Sequence, residues 1–157
     1  MYKIGDKIVY PMHGAGIVEK IETKTILDKK REYYILDVPG NDMKIMIPVD
    51  QTETIGIRDV IDKKKVNGIV DMLKAPSTEM PQNWNRRYRA NMEKLKTGEI
   101  SEVTEVVRNL TRTEREKHLS TGEKKLLSNA RHILVSELIL AADISSEDAE
   151  KILDDSI

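Results

Sequence analysis

The chain has no cysteine and no phenylalanine, and its 157 residues include a single tryptophan. Without thiols there can be no disulfide, no thiol nucleophile and no cysteine-held zinc, and a reducing, cytoplasmic setting is the natural expectation. Without Phe, the core has to be built from Ile, Leu, Val and Met. No run of 18 apolar residues occurs, so no membrane-spanning helix is expected. The opening Met1-Tyr2-Lys3-Ile4-Gly5-Asp6 lacks the apolar stretch of a secretory signal. What remains is an ordinary folding composition, with 39% hydrophobic and 34% charged residues.

The formal charge of −1 conceals an uneven distribution. Residues 1–58 carry equal numbers of acidic and basic side chains, residues 59–142 a surplus of four basic, and residues 143–157 a deficit of five. That footprint is too weak for a protein that coats DNA unaided, so any DNA contact is expected to be local or assisted by a partner.

Residues 1–58 read as β structure. Lys7–Tyr10, Ala15–Ile21, Glu32–Val38 and Met43–Ile47 are short runs rich in β-branched residues. Turn signals at Pro11–Gly14, Asp28–Arg31 and Pro39–Asp42 separate them, and a fifth strand is placed at Thr54–Ile57. Five short strands predict a small SH3-like barrel whose exposed edges suit docking. Near Arg58 to Lys65 the apolar period changes from two to about 3.6. Helices are then predicted around Val66–Leu73, Trp84–Leu95 and Ile100–Leu110. Thr111–Glu114 has capping-box spacing and is read as a possible new turn, and Ser120-Thr121-Gly122-Glu123 opens the longest helix. Ser145 caps a short acidic helix ending at Ile157. The expected architecture is α+β: a barrel module, residues 1–58, then a helical module, residues 59–157.

Sites for chemistry are poor. His13-Gly14-Ala15-Gly16 sits between two predicted strands and has no G-x-S-x-G partner, so it reads as a hairpin turn. His118 and His132 lack partners at metal-ligand spacing, and Glu102 with Glu105 reads as a solvated helix face. No phosphate-cradling glycine loop is complete. No enzyme activity, metal, cofactor or small-molecule substrate is expected.

One stretch stands apart: Asn83-Trp84-Asn85-Arg86-Arg87-Tyr88-Arg89. Arginine forks suit phosphate oxygens, and an indole can stack on or wedge between bases. A plainer reading competes, because Trp84, Tyr88, Met92 and Leu95 share one helical face and could all be core.

Ile8–Gly16, Glu22–Ile26 and Glu32–Leu36 resemble the amino-terminal domain of the CarD family of bacterial transcription regulators. Pro81–Leu95 is similar to the family's carboxy-terminal signature, and Leu119–Leu127 and Ala130–Val135 follow in the same order. The resemblance implies a Tudor-like domain that binds the RNA polymerase β subunit, followed by a helical DNA-binding domain. It further implies a protein that stabilises the open promoter complex, with Trp84 wedged into the minor groove at the upstream edge of the bubble. Arg86, Arg87, Arg89, Lys124 and Lys125 would accompany Trp84 on promoter DNA. Glu22, Thr23, Lys24, Thr25 and Met46 would face polymerase. Lys24 falls where the family tends to place an arginine, and Met46 where a second is often found. The first loses the bidentate fork and the second the charge. A monomer is expected, associated with the nucleoid through polymerase, and the alternative is a free-standing DNA-binding protein with no polymerase contact.

Overall fold

The computed structural model describes residues 1–40 and 43–157. The expected turn at Pro39–Asp42 therefore lies partly, at Asn41 and Asp42, outside the described residues. Five strands, β1 (Lys7–Tyr10), β2 (Gly14–Ile26), β3 (Lys29–Val38), β4 (Met43–Pro48) and β5 (Arg58–Asp59), form one antiparallel sheet in the order β4-β3-β2-β1-β5. A helical turn, α1 (Thr52–Ile55), precedes β5. The fifth strand thus begins after the predicted Thr54–Ile57, where Gly56 at φ 88° ends the turn instead. Two residues of strand are too few to display an alternating pattern.

Alternation along β3 divides the sheet into two faces. Tyr34, Leu36 and Val38 join Ile8, Val18 and Ile47 in a buried inner core. Gly16 belongs to that side, and a Cβ there would stand 2.6 Å from Leu36 Cγ and 2.7 Å from the Asp37 carbonyl. A bulge between Val18 and Lys20 lets the long β2 bend and resets its alternation. Beyond it, Lys20, Glu22 and Lys24 pair with Ile35, Tyr33 and Arg31 on the outer face.

Five helices follow: α2 (Val66–Lys74), α3 (Trp84–Lys96), α4 (Ile100–Glu116), α5 (Thr121–Ala142) and α6 (Ser146–Ser156). Leu73, Leu95, Val107, Leu110, Leu134, Leu138 and Leu153 are among the residues of their common core. Helix α4 runs unbroken through Thr111–Glu114, where a new turn was expected. Glu114, the acidic end of that spacing, accepts from the Leu119 N–H at 2.7 Å at the helix end instead of closing a box with Thr111. At Ser120 the capping box is complete. The acidic α6 is held against α5 by Arg131, which pairs with Glu150 and Asp154.

The sheet and the helices meet along α5. Val9, Ala15 and Leu140 form a small buried cluster there, flanked by Ile17 and Val60. Gly14, at φ 117°, comes so near that a Cβ would meet Ser136 Oγ at 2.9 Å. The Ala15 N–H donates to that oxygen at 2.9 Å. Arg58 in β5 grips Glu137 through two bonds of 2.8 and 2.7 Å and donates a third to the Gly98 carbonyl at 2.8 Å. Glu137 also accepts from the Ile61 N–H at 3.0 Å.

Candidate functional site

The α3 end of the helical module is built by local chemistry. Asn83 is extended and its side chain accepts from the N–H groups of Asn85 and Arg86 at 3.0 and 3.3 Å, which starts the helix at Trp84. The buried stripe of α3 is Arg87, Asn91 and Leu95. Tyr88 and Met92 are half-buried against the core, on the face expected from the sequence. Trp84 is not: its indole is 52% exposed, and no buried cluster contains it. A first-turn side chain has no preceding turn to pack on, so the face that is core at Leu95 opens to solvent at Trp84.

Arg86 and Arg89 follow Trp84 on exposed positions of the first turns of α3, with no carboxylate partner among the described residues. Lys124 and Lys125 are exposed in the first turn of α5. Lys124 lies 3.9 Å from Glu114, a weak and solvent-screened attraction. Arg87 is a correction to the expected set. It is only 9% exposed, and its Nε and Nη2 donate to the Glu123 carboxylate at 2.6 and 2.8 Å. A guanidinium so engaged has no fork left for a phosphate. The hydrogen bond to Glu123 raises the Arg87 pKa further. Burial pushes the Glu123 carboxyl up, but the bonds from Arg87 and Ser120 outweigh it and hold the group below its ordinary value. Glu123 was legible as a capping residue. Its pairing with Arg87, 36 positions away, had no local signal.

The second candidate surface is the outer face of the sheet. Cross-strand register places Met46 beside Ile35 and Lys20, and Pro48 beside Tyr33 and Glu22. The result is a low apolar strip bordered by ions. Glu22 pairs with Lys20 at 2.6 Å and lies 3.9 Å from Lys24, and Lys44 pairs with Glu19 at 2.7 Å. The bond from Lys20 lowers the Glu22 pKa. Met46 is 39% exposed and occupies β4, the free edge of the sheet. Of the predicted docking residues, Glu22, Lys24 and Met46 therefore share one face. Thr23 and Thr25 pair with Glu32 and Lys30 and point to the opposite side. Tyr33 and Ile35, only 9% and 5% exposed, form its buried floor, and Pro48 is half-buried. Their alternation with Tyr34, Leu36 and Ile47 was readable, but which parity faced outward was not.

No group of three His, Asp or Glu side chains suited to a metal occurs among the described residues. Glu105 does not pair with Glu102: Lys94 and Thr78 donate to it at 2.8 and 2.6 Å and lower its pKa. No helix of the described residues is long and apolar enough to cross a membrane.

Comparison with known proteins matches both modules. Residues 2–61 match the family model described as the CarD-like/TRCF RID domain, and residues 68–154 the model of the CarD C-terminal domain. The chain is also 42% identical over 147 residues to "Putative transcription factor YdeB" of Bacillus subtilis (strain 168), covering 94% of this chain and 96% of that protein.

Proposed function

The chain belongs to the CarD family, and from that premise we propose that it docks on the RNA polymerase β subunit and stabilises the open promoter complex. In this reading residues 1–58, completed by the second residue of β5, are the docking module, and residues 59–157 contact DNA. The outer sheet face with Glu22, Lys24 and Met46 meets polymerase, and the free edge at β4 offers main-chain groups for strand addition. Because Met46 stands where a charge is often found, the contact is expected to be more apolar here than in relatives that carry arginine.

The observation that carries the DNA half is the half-exposed Trp84 at the tip of α3, in the same two turns as the exposed Arg86 and Arg89. Tryptophan is highly buried on average, so a ring left half-exposed and outside the buried clusters is available for contact. An indole slipped into a base step gains stacking, and at the edge of a bubble the duplex is already ending, so unstacking costs less. Docking raises the local concentration of the DNA module, so its modest positive charge suffices. The test is open-complex lifetime at two promoters of opposite stability, with and without the protein. Lengthened lifetime at both supports the reading. Unchanged lifetimes, or DNA binding of equal strength without polymerase, would favour a free-standing DNA-binding protein instead.

A further inference from the structure

We infer that Arg87 and Glu123 are positioning residues for Trp84: their buried ion pair fixes the indole relative to Lys124 and Lys125. The inference rests on the wedge reading of Trp84 proposed above.

Arg87 spans the tryptophan. Its Nη1 donates to the Gln82 carbonyl at 3.2 Å, two residues before Trp84, while its Nε and Nη2 hold Glu123. One planar group thus ties the chain entering α3, α3 itself and the first turn of α5. Glu123 is equally constrained: it is fully buried, and its Oε1 accepts from the Ser120 hydroxyl at 3.0 Å and from the Ser120 N–H at 3.5 Å. Lys124 and Lys125 follow it directly.

The Tyr88 ring also lies over Gly122, 3.8 Å from where a Cβ would stand. A contact between a ring and a bare glycine permits sliding. A bidentate fork does not, since both its bonds must keep their direction. Burying two charges is a poor way to gain stability, because an apolar pair of the same volume does as well or better. What the ionic pair supplies is direction. A wedge has to enter one base step while neighbouring cations reach phosphates, and a displacement of about 1 Å is enough to undo such an alignment.

The test is a double-mutant cycle in the full-length chain. Arg87→Lys, Glu123→Gln and Trp84→Ala are made singly, and the first two are each combined with Trp84→Ala. Open-complex lifetime is read with polymerase present, below the melting transition of each variant. Arg87→Lys keeps the charge and loses the fork. Glu123→Gln keeps the capping box and carries the cycle alone if Arg87→Lys fails to fold. Each positioning variant is expected to shorten the lifetime at least about fivefold, within the range of losing the stacked ring. In the Trp84→Ala background the further loss should be under about twofold, because coupled residues are not additive. The slope of log affinity against log salt should match the wild type, as neither residue touches a phosphate. Additive losses in the two backgrounds, a slope flattened by roughly 0.9, or an unchanged lifetime would overturn the inference while Trp84→Ala still decays fast. A Trp84→Ala complex that decays normally removes the wedge reading, and this inference with it.

Discussion

Trp84→Ala separates two roles of the ring that have different magnitudes. A Trp truncated from a packed core costs about 3–5 kcal/mol. For a chain of this length about 1 kcal/mol shifts Tm by roughly 2–4 °C, so a core ring would cost about 6–20 °C. Trp84 is 52% exposed and outside every buried cluster. A full Trp offers about 150–250 Å²; half of that at about 25 cal/mol per Å² sets an upper bound of roughly 2–3 kcal/mol. Area lost from an extended reference chain overstates the cost, and alanine keeps part of it, so the expected loss is nearer about 1–2 kcal/mol. Tm should fall by only about 2–8 °C. Open-complex decay should change far more. Base–aromatic stacking is worth about 1–3 kcal/mol, and about 1.4 kcal/mol is tenfold in an equilibrium constant. The complex should therefore lose roughly five- to more than a hundredfold in stability, with binding to the polymerase β subunit unchanged because the sheet is untouched. Thermal melting, β-subunit pull-down and open-complex decay on the same preparation decide it. Near-wild-type decay, or a Tm loss well above about 8 °C, would refute the reasoning.

Arg86→Ala and Arg89→Ala should each flatten the log affinity versus log salt slope by roughly 0.9 if they hold one phosphate apiece; loss at a single DNA sequence with the slope intact would indicate base readout instead. Lys24→Glu should weaken β-subunit binding without lowering Tm, since Lys24 is an exposed residue whose ion pair to Glu22 is long. Met46→Arg should tighten the same contact by about 1.5–3 kcal/mol if it gains a charge-assisted hydrogen bond. Titration calorimetry with the β subunit checks both, and affinity indifferent to both places the interface elsewhere. Acid should destabilise the helical module through Glu123 and Glu105, whose folded-state pKa values are lowered. A depressed carboxyl stabilises the fold fully above the unfolded value of about 4.3 and loses that contribution as pH falls through the lower folded value. Tm should thus be flat down to about pH 5 and fall below it, and Glu123→Gln should start lower and fall less steeply. An equal acid slope in that variant would contradict the assignment.

Much of this molecule is local and was therefore legible in the sequence. The first four strands, the cap at Ser120, the start of α3 at Trp84 and the stop before Pro76 each depend on neighbours within a few residues. The helical stripe at Tyr88, Met92 and Leu95 was likewise written in its spacing. The stripe could not say where the core ended along α3, so it left Trp84 open between core and surface. Three-dimensional packing decided that the buried face runs through Arg87, Asn91 and Leu95 and leaves the ring outside.

Charge was the least legible property. Arg86, Arg87 and Arg89 look alike in sequence, yet two stand exposed and the middle one is spent on Glu123. Likewise Glu22 to Thr25 read as one docking stretch, although the pleat sends Glu22 and Lys24 to one face and Thr23 and Thr25 to the other. Arg58, which marked the change of period, turned out to lock the sheet to α5 through Glu137. The physical reason is common to the two arginines. The sequence determines secondary structure through bonds between near neighbours, whereas a charged side chain takes its role from whichever partner the fold brings within about 3 Å, and those partners lie 36 and 79 residues away.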